Sequence, residues 1–309
     1  MTNKDIELSV VASIYDDAEL IIPLVEKTTK VLVAMGVSFE IILVNDKSRD
    51  YSERIIEEQC RKHSFVRALT LSRNFGQQIA ISAGVHYARG RYVLIMDGDL
   101  QNPIDAIPKL YGKIKEGFGI VYAISTVRNS FSEKITSKIF WLIINKWFRA
   151  NILPHQLMMR IMTAECAETY NSYTEITRTV AGVMADMGFS STILEVQNQR
   201  RTHGKSHYNF IKRFNLFIDA VLSLTNNPLN ILIYFGSTML VLTLGFALYV
   251  VSTHFGGEPI PGYWFAAMVV SFFGSIIIVI LGILARYLAN IYTEVRRRPL
   301  FLVQRKFNF

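Results

Sequence analysis

Short apolar runs rich in branched residues alternate with longer amphipathic stretches along residues 8–124. The runs Leu8–Ile14, Phe39–Val44, Val66–Leu71, Tyr92–Met96 and Ile120–Ile124 are four to eight residues long and read as buried strands. Between them, Ala18–Met35, Tyr51–His63, Gln77–Ala88 and Ile104–Glu116 place apolar residues at helical spacing, the last behind Pro103. Strand–helix alternation of this kind predicts right-handed crossovers and a mostly parallel sheet covered by helices.

Further along, the pattern changes. No charged residue occurs from Ala220 to Gly257, and none from Pro259 to Ala285. Within these stretches Leu229–Val251 and about Tyr263–Ala285 each have the ~20 apolar residues that cross a bilayer. Arg200, Arg201, Lys205, Lys212 and Arg213 precede the first span, and Arg286 and Arg296–Arg298 follow the second, whereas Ser252–Trp264 holds no Lys or Arg. The positive-inside bias therefore predicts a hairpin with both flanks in the cytosol. Phe210, Phe214, Phe217, Ile218, Val221 and Leu222 share one helical face, opposite Lys212, Arg213 and Asp219, as in a helix lying in the membrane interface. The expected layout is a cytosolic domain over residues 1–207, a juxtamembrane helix over 208–227, two spans within 228–288 and a basic cytosolic tail over 289–309.

Charge and cysteine content narrow the classes. The net charge of +8 collects around the hydrophobic segments, which favours a membrane surface over a nucleic-acid groove. Cys60 and Cys166 alone, without metal-type spacing, exclude a disulfide framework or a structural zinc site. Asp5, Glu7, Asp16, Asp17 and Glu19 near the start speak against a signal peptide, so the chain is expected to begin in the cytosolic domain.

The candidate chemistry lies where the predicted strands end, since ligands of open α/β sheets bind beyond the carboxyl ends of the strands. Those ends carry Tyr15-Asp16-Asp17, Asn45-Asp46-Lys47-Ser48, Ser72-Arg73-Asn74-Phe75-Gly76 and Asp97-Gly98-Asp99-Leu100-Gln101. Asp97 and Asp99 offer two carboxylates to a hard cation such as Mg2+ or Mn2+, leaving its other positions to substrate phosphates. Any one of these loops could be an acidic helix cap; the four together point to a polar, metal-bound ligand. The first strand leads into Tyr-Asp-Asp, not a glycine-rich turn, and G-x-x-x-x-G-K-[ST] is absent, so a glycine-loop phosphate cradle is excluded.

With these residues in view, the chain resembles the family 2 glycosyltransferases that load a sugar onto a polyprenyl phosphate. These include dolichol-phosphate-mannose synthases and bactoprenol glucosyltransferases. Ser9-Val10-Val11 to Asp17 resembles S-V-V-I-P-x-Y-N-E, and Val44-Asn45-Asp46-Lys47-Ser48 resembles V-D-D-G-S. Leu71–Gly76 resembles L-S-R-N-F-G, and Asp97–Pro103 resembles D-A-D-L-Q-D-P. Arg201-x-x-Gly204-x-Ser206-His207-Tyr208 and Tyr292–Pro299 resemble R-x-x-G-x-S-K-Y and I-Y-x-E-V-x-x-R-P. Gly76-Gln77, Leu100–Pro103 and the region near Met159-Arg160 look closest to the branch that transfers formylated aminoarabinose to undecaprenyl phosphate.

The resemblance implies a GT-A (Rossmann-like) α/β catalytic domain followed by the interfacial helix and a two-helix transmembrane hairpin in a bacterial inner membrane. It also implies a UDP-sugar donor, an undecaprenyl phosphate acceptor, Mg2+ or Mn2+, and a homo-tetramer. Under it, Asp46 reads the base, Tyr15 and Asp17 line its pocket, and Arg73 and Asn74 stand at the nucleotide rim. Asp97, Asp99 and Gln101 hold the metal, with Asp99 the leading catalytic candidate. Arg128 and Lys134 take the acceptor phosphate; Arg201, Lys205 and Ser206 approach the diphosphate or lipid headgroup. The plainer readings are a structural turn for Arg73 and Asn74, solvated charge for Arg128 and Lys134, and positive-inside charge for the juxtamembrane group. Ser13, Asp16 and Lys47 depart from the family's Pro, Asn and Gly. Leu157-Met158-Met159-Arg160 stands in place of G-D-F-R, so Met158 replaces an Asp often assigned as base or sugar ligand. That departure keeps a catalytically impaired nucleotide-sugar-binding scaffold in view. A processive polysaccharide synthase fits less well, because Gln197-Asn198-Gln199-Arg200 is followed by Arg201 where such enzymes carry Trp.

Overall fold

The computed structural model describes residues 6–125, 156–175, 179–196 and 262–309. The five strands expected from the apolar runs are present as β1 (Leu8–Ile14), β2 (Phe39–Asn45), β3 (Val66–Leu71), β4 (Tyr92–Asp97) and β5 (Ile120–Ser125). The expected helices appear as α1 (Ala18–Met35), α2 (Ser52–Lys62), α3 (Gln77–Tyr87) and α4 (Ile107–Ile114), the last behind a 3-10 turn at Ile104–Ala106. Beyond them come β6 (Gln156–Thr163), α5 (Ala164–Ser172), α6 (Val180–Asp186), β7 (Ser191–Val196), α7 (Gly262–Val295) and β8 (Val303–Phe307).

All eight strands form one sheet in the order β7-β5-β6-β4-β1-β2-β3-β8. The central four pair in parallel, as expected. The sheet as a whole is mixed: β6 runs antiparallel between β4 and β5, and β8 runs antiparallel along β3. Hence β6 separates β5 from β4 in the sheet.

Strand alternation explains the layers. In β1, Leu8, Val10, Ala12 and Ile14 enter a core with Ile21, Leu24, Ile56, Ile107 and Leu110 from α1, α2 and α4. Val11 enters the opposite core with Ile81, Tyr170 and Val183 from α3, α5 and α6. Each buried aliphatic side chain contributes roughly 1.5–3 kcal/mol, and these central strands are covered on both faces. Gly84 lets α3 lie close on the sheet, because a Cβ there would stand 2.2 Å from Val11 Cγ1.

The basic tail is part of this domain. Residues 303–307 extend the sheet at β3, and Asn308 Nδ2 donates to the carbonyls of Cys60 (2.6 Å) and Val66 (2.7 Å). The helix before it, α7, is continuous for 34 residues, about 51 Å at 1.5 Å per residue. Among the described residues no helix is long and apolar enough to cross a membrane. The expected span 263–285 falls inside α7, where many side chains lie outside the described set. The span 229–251 and the juxtamembrane helix 208–227 lie outside it altogether.

Candidate active site

Register brings the four polar strand ends to one rim: Ile14 of β1 lies beside Asn45 of β2, and Ser13 beside Asp97 of β4. The loops that follow enclose a cleft of about 220 Å³ lined by Tyr15, Asp17, Asp46, Asn74, Asp97 and Asp99, with Gln77 and Gly98 also in its wall. Gly98 is required where it stands, since a Cβ would lie 2.6 Å from the Ser13 carbonyl oxygen. The chain between the two carboxylates therefore rests against the end of β1.

Three of these loops turn through left-handed backbone at residues other than glycine: Asp16 (φ 55°), Lys47 (φ 59°) and Leu100 (φ 58°). Such residues are uncommon, and they cluster at sites whose geometry the surroundings over-determine. Here the surroundings are visible. Asp16 N donates to Ser48 Oγ (3.1 Å), Arg49 N to Asp16 Oδ1 (2.6 Å), and Ser48 N to Asn45 Oδ1 (2.9 Å). The β1 and β2 loops thus lock each other.

Asp46 is 2 % exposed. Its carboxylate accepts the backbone N–H of Phe75 (2.7 Å) and of Gly76 (2.8 Å), which fixes the loop entering α3. Burial raises its pKa, and the two N–H bonds oppose that rise. A carboxylate has about four lone-pair sites, so these two bonds do not exhaust it, and Asp46 lines the cleft.

Asp97 accepts from Gln77 Nε2 (2.6 Å) and Asn102 Nδ2 (3.1 Å). Desolvation, and then the neighbouring Asp99 charge, push its pKa to about 6. Asp99 accepts from Gln101 N (3.0 Å) and Gln101 Nε2 (2.6 Å), and among the described residues the Gln101 side-chain carbonyl accepts no hydrogen bond. Two carboxylates that repel each other in a desolvated cleft suit a hard divalent cation, which would relieve both the burial cost and the repulsion. Among the described residues no three His, Cys, Asp or Glu side chains gather into a metal group. Mg2+ is usually bound through one or two carboxylates with substrate phosphates completing its shell, and the residues present fit that kind of site.

The remaining expected residues divide clearly. Arg73 stacks on the Phe75 ring at 4.6 Å and is not in the cleft wall. Arg128, Lys134, Arg201, Lys205 and Ser206 lie outside the described residues. Met158 lies in β6, where its carbonyl accepts from Arg160 Nε (3.0 Å).

Three supporting residues were not expected: Gln77, Asn102 and Arg160. Arg160 is 3 % exposed, donates to the carbonyls of Leu157 and Met158, and lies 5.5 Å from the Tyr122 ring centroid. Its charge lowers the Asp97 pKa, against the larger raising effects; burial in turn lowers its own. An arginine inside an otherwise apolar strand, Gln156–Thr163, was the available signal.

Comparison with known proteins bears on the family and the fold. The family model for glycosyl transferase family 2 matches residues 9–167. An uncharacterized glycosyltransferase of Synechocystis sp. is 32 % identical over 96 % of this chain and 95 % of its own length. The undecaprenyl-phosphate 4-deoxy-4-formamido-L-arabinose transferase of Edwardsiella ictaluri is 31 % identical over 96 % and 93 %. Among solved structures, glucosyl-3-phosphoglycerate synthase from Mycobacterium tuberculosis, in complex with Mn2+, UDP and phosphoglyceric acid, superposes with TM-score 0.51 at 14 % identity. That match covers 71 % of this chain and 76 % of that one, and shows a shared fold.

Proposed function

Because this chain belongs to glycosyl transferase family 2, we propose that it moves a sugar from a nucleotide diphosphate to a polyprenyl phosphate at a membrane surface. The observation that carries the proposal is the cleft itself, in which Asp97 and Asp99 face the β1, β2 and β3 loops across a space of about 220 Å³. The relative that transfers formamido-arabinose to undecaprenyl phosphate supports that acceptor class, and it aligns over nearly the whole chain.

The geometry supports the following division of labour. Asp97 and Asp99 hold Mg2+ or Mn2+, with the Gln101 carbonyl within the same loop. Gln77 and Asn102 orient Asp97 through the bonds described above. Tyr15, Asp17, Asp46 and Asn74 enclose the nucleotide, with Asp46 positioned by the α3 entry loop. When bound, the divalent cation supplies charge neutralisation for the departing diphosphate. The acceptor phosphate has a second pKa near ~6 and is mostly dianionic at pH 7. It therefore attacks the anomeric carbon with inversion and needs no general base, which removes the demand for a carboxylate at Met158.

Membrane attachment belongs to the same proposal. Ile277, Leu281, Leu284, Leu288 and Ile291 are exposed along α7, a row of apolar side chains suited to lipid or to a neighbouring helix. Arg296, Arg297 and Arg298 close the helix on the side of the catalytic domain, the cytoplasmic side under the positive-inside bias. The test is a donor panel, UDP- and GDP-sugars offered with undecaprenyl phosphate to purified full-length protein in detergent. A lipid-phosphate sugar that disappears with EDTA is expected. No lipid product with any donor, or transfer indifferent to EDTA, would contradict the proposal.

A further inference from the structure

The β2 loop contains an anomaly that the cleft does not explain. Lys47 stands where the resembled motif has glycine, and it occupies left-handed backbone at φ 59°. Glycine enters that region freely, whereas a lysine does so against steric resistance from its Cβ. Something must hold the turn. Asn45 Oδ1 accepts Ser48 N and the Asp16 bonds to Ser48 and Arg49 brace the residues after it, whereas the lysine side chain is held from a distant part of the chain. Lys47 Nζ donates to Gln304 Oε1 at 2.8 Å, across 257 residues of sequence.

Gln304 is available for this because of a bulge. Thr70 of β3 pairs with Arg305 and Leu71 with Val303, so Gln304 is the extra residue of β8. Bulges re-aim side chains in this way. The strand that carries it is firmly seated. Ser72 N donates to the Leu302 carbonyl at 2.9 Å, Asn308 is bonded to two carbonyls, and the Arg67 guanidinium lies 3.8 Å from the centroid of the Phe309 ring. The neighbour of Lys47 in sequence is Asp46, whose carboxylate forms part of the cleft wall and fixes the loop entering α3.

We propose that Gln304 is a positioning residue for the nucleotide end of the cleft: it tethers the Lys47 ammonium, and with it the left-handed turn that presents Asp46. The C-terminal strand, which follows α7 after seven residues (296–302), is thereby part of the donor-binding machinery. A glycine at position 47 would need no tether. The inference rests on the nucleotide-sugar reading above.

The test is calorimetric titration of UDP and of GDP, each with Mg2+, into the full-length protein, with melting temperature recorded for every variant. The bond lies at the surface, so Gln304→Leu and Lys47→Met should each raise the Kd of the better-bound nucleotide by about two- to fivefold. The double variant should be no weaker than either single one, because both remove the same bond. Gln304→Glu, which keeps an acceptor, should bind like wild type. Lys47→Gly should also bind like wild type, and adding Gln304→Leu to it should change nothing. Wild-type affinity in Gln304→Leu would overturn the proposal, as would equal weakening in Gln304→Leu and Gln304→Glu, or Lys47→Gly as weak as Lys47→Met. Binding of neither nucleotide to wild type would overturn it as well. If wild type binds nucleotide but transfers no sugar, the proposed function fails while the Kd comparison still decides the tether.

Discussion

Two carboxylates sit at opposite ends of the same parallel strands and are wired in different ways. Glu40, near the start of β2, is 1 % exposed and fully answered. One oxygen accepts Ser9 Oγ (2.6 Å) and Arg89 N (2.8 Å), and the other accepts the buried guanidinium of Arg67. Asp97, at the end of β4, receives only two side-chain amides and has another carboxylate two residues away. Among the described residues no cation bonds to it. The first arrangement closes an ion pair inside the fold; in the second, among the described residues, the Arg160 charge acts on Asp97 without bonding to it and does not offset burial and the Asp99 charge. The difference lies in whether the protein completes the shell itself or, as proposed for Asp97, leaves it to a ligand.

The largest expected effect tests the closed end. Glu40→Ala leaves Arg67 buried without its counter-charge and should cost about 3–5 kcal/mol of stability, read as a lower urea midpoint. Asp99→Ala, at the open end, should do the reverse: keep the melting temperature within a few degrees and lower kcat/KM by ~10²-fold or more. If the two substitutions had the same signature, the contrast between the ends would collapse.

A smaller effect concerns proton linkage at Asp97. Its pKa of about 6 in the fold lies above the ordinary carboxylate value of 3.8. The stabilisation linked to its proton is therefore fully present below about pH 4 and lost as pH rises through about 6. Asp97→Asn cannot ionise, so without metal it should be more stable than wild type at pH 7.5 by ~1–3 kcal/mol. That gap should close toward pH 4 in denaturation curves taken across the range. The smallest effect returns to the closed end. Phe309→Ala removes the ring under Arg67 but leaves the ion pair, and should cost only about 1 kcal/mol in the same denaturation assay.

The open end was the more legible one in the sequence. The β1–β4 runs are mostly apolar and stop abruptly at polar loops, so their carboxyl ends, and with them Asp46, Asp97 and Asp99, could be placed together from the chain alone. The residues that complete the shell could not. Gln77 and Asn102 fall inside motifs that resemble the family, but they are single amides whose partner, Asp97, is chosen by tertiary geometry. The late strands were hidden for separate reasons. In β6 an apolar run is broken by Arg160, whose burial depends on Tyr122 and on carbonyls of its own strand. In β8 the sequence Val-Gln-Arg-Lys-Phe reads as a basic tail. Its pairing partner β3 lies more than 230 residues away, and a bulge breaks its alternation.

The central claim is that Asp97 and Asp99 hold a nucleotide diphosphate through a divalent cation. It is tested most directly by titrating UDP into wild type and Asp99→Ala, each with and without Mg2+ or Mn2+. The account predicts that metal tightens UDP binding to wild type by about tenfold or more and has no effect on Asp99→Ala. An equal metal effect in both proteins, or none in wild type, would contradict it.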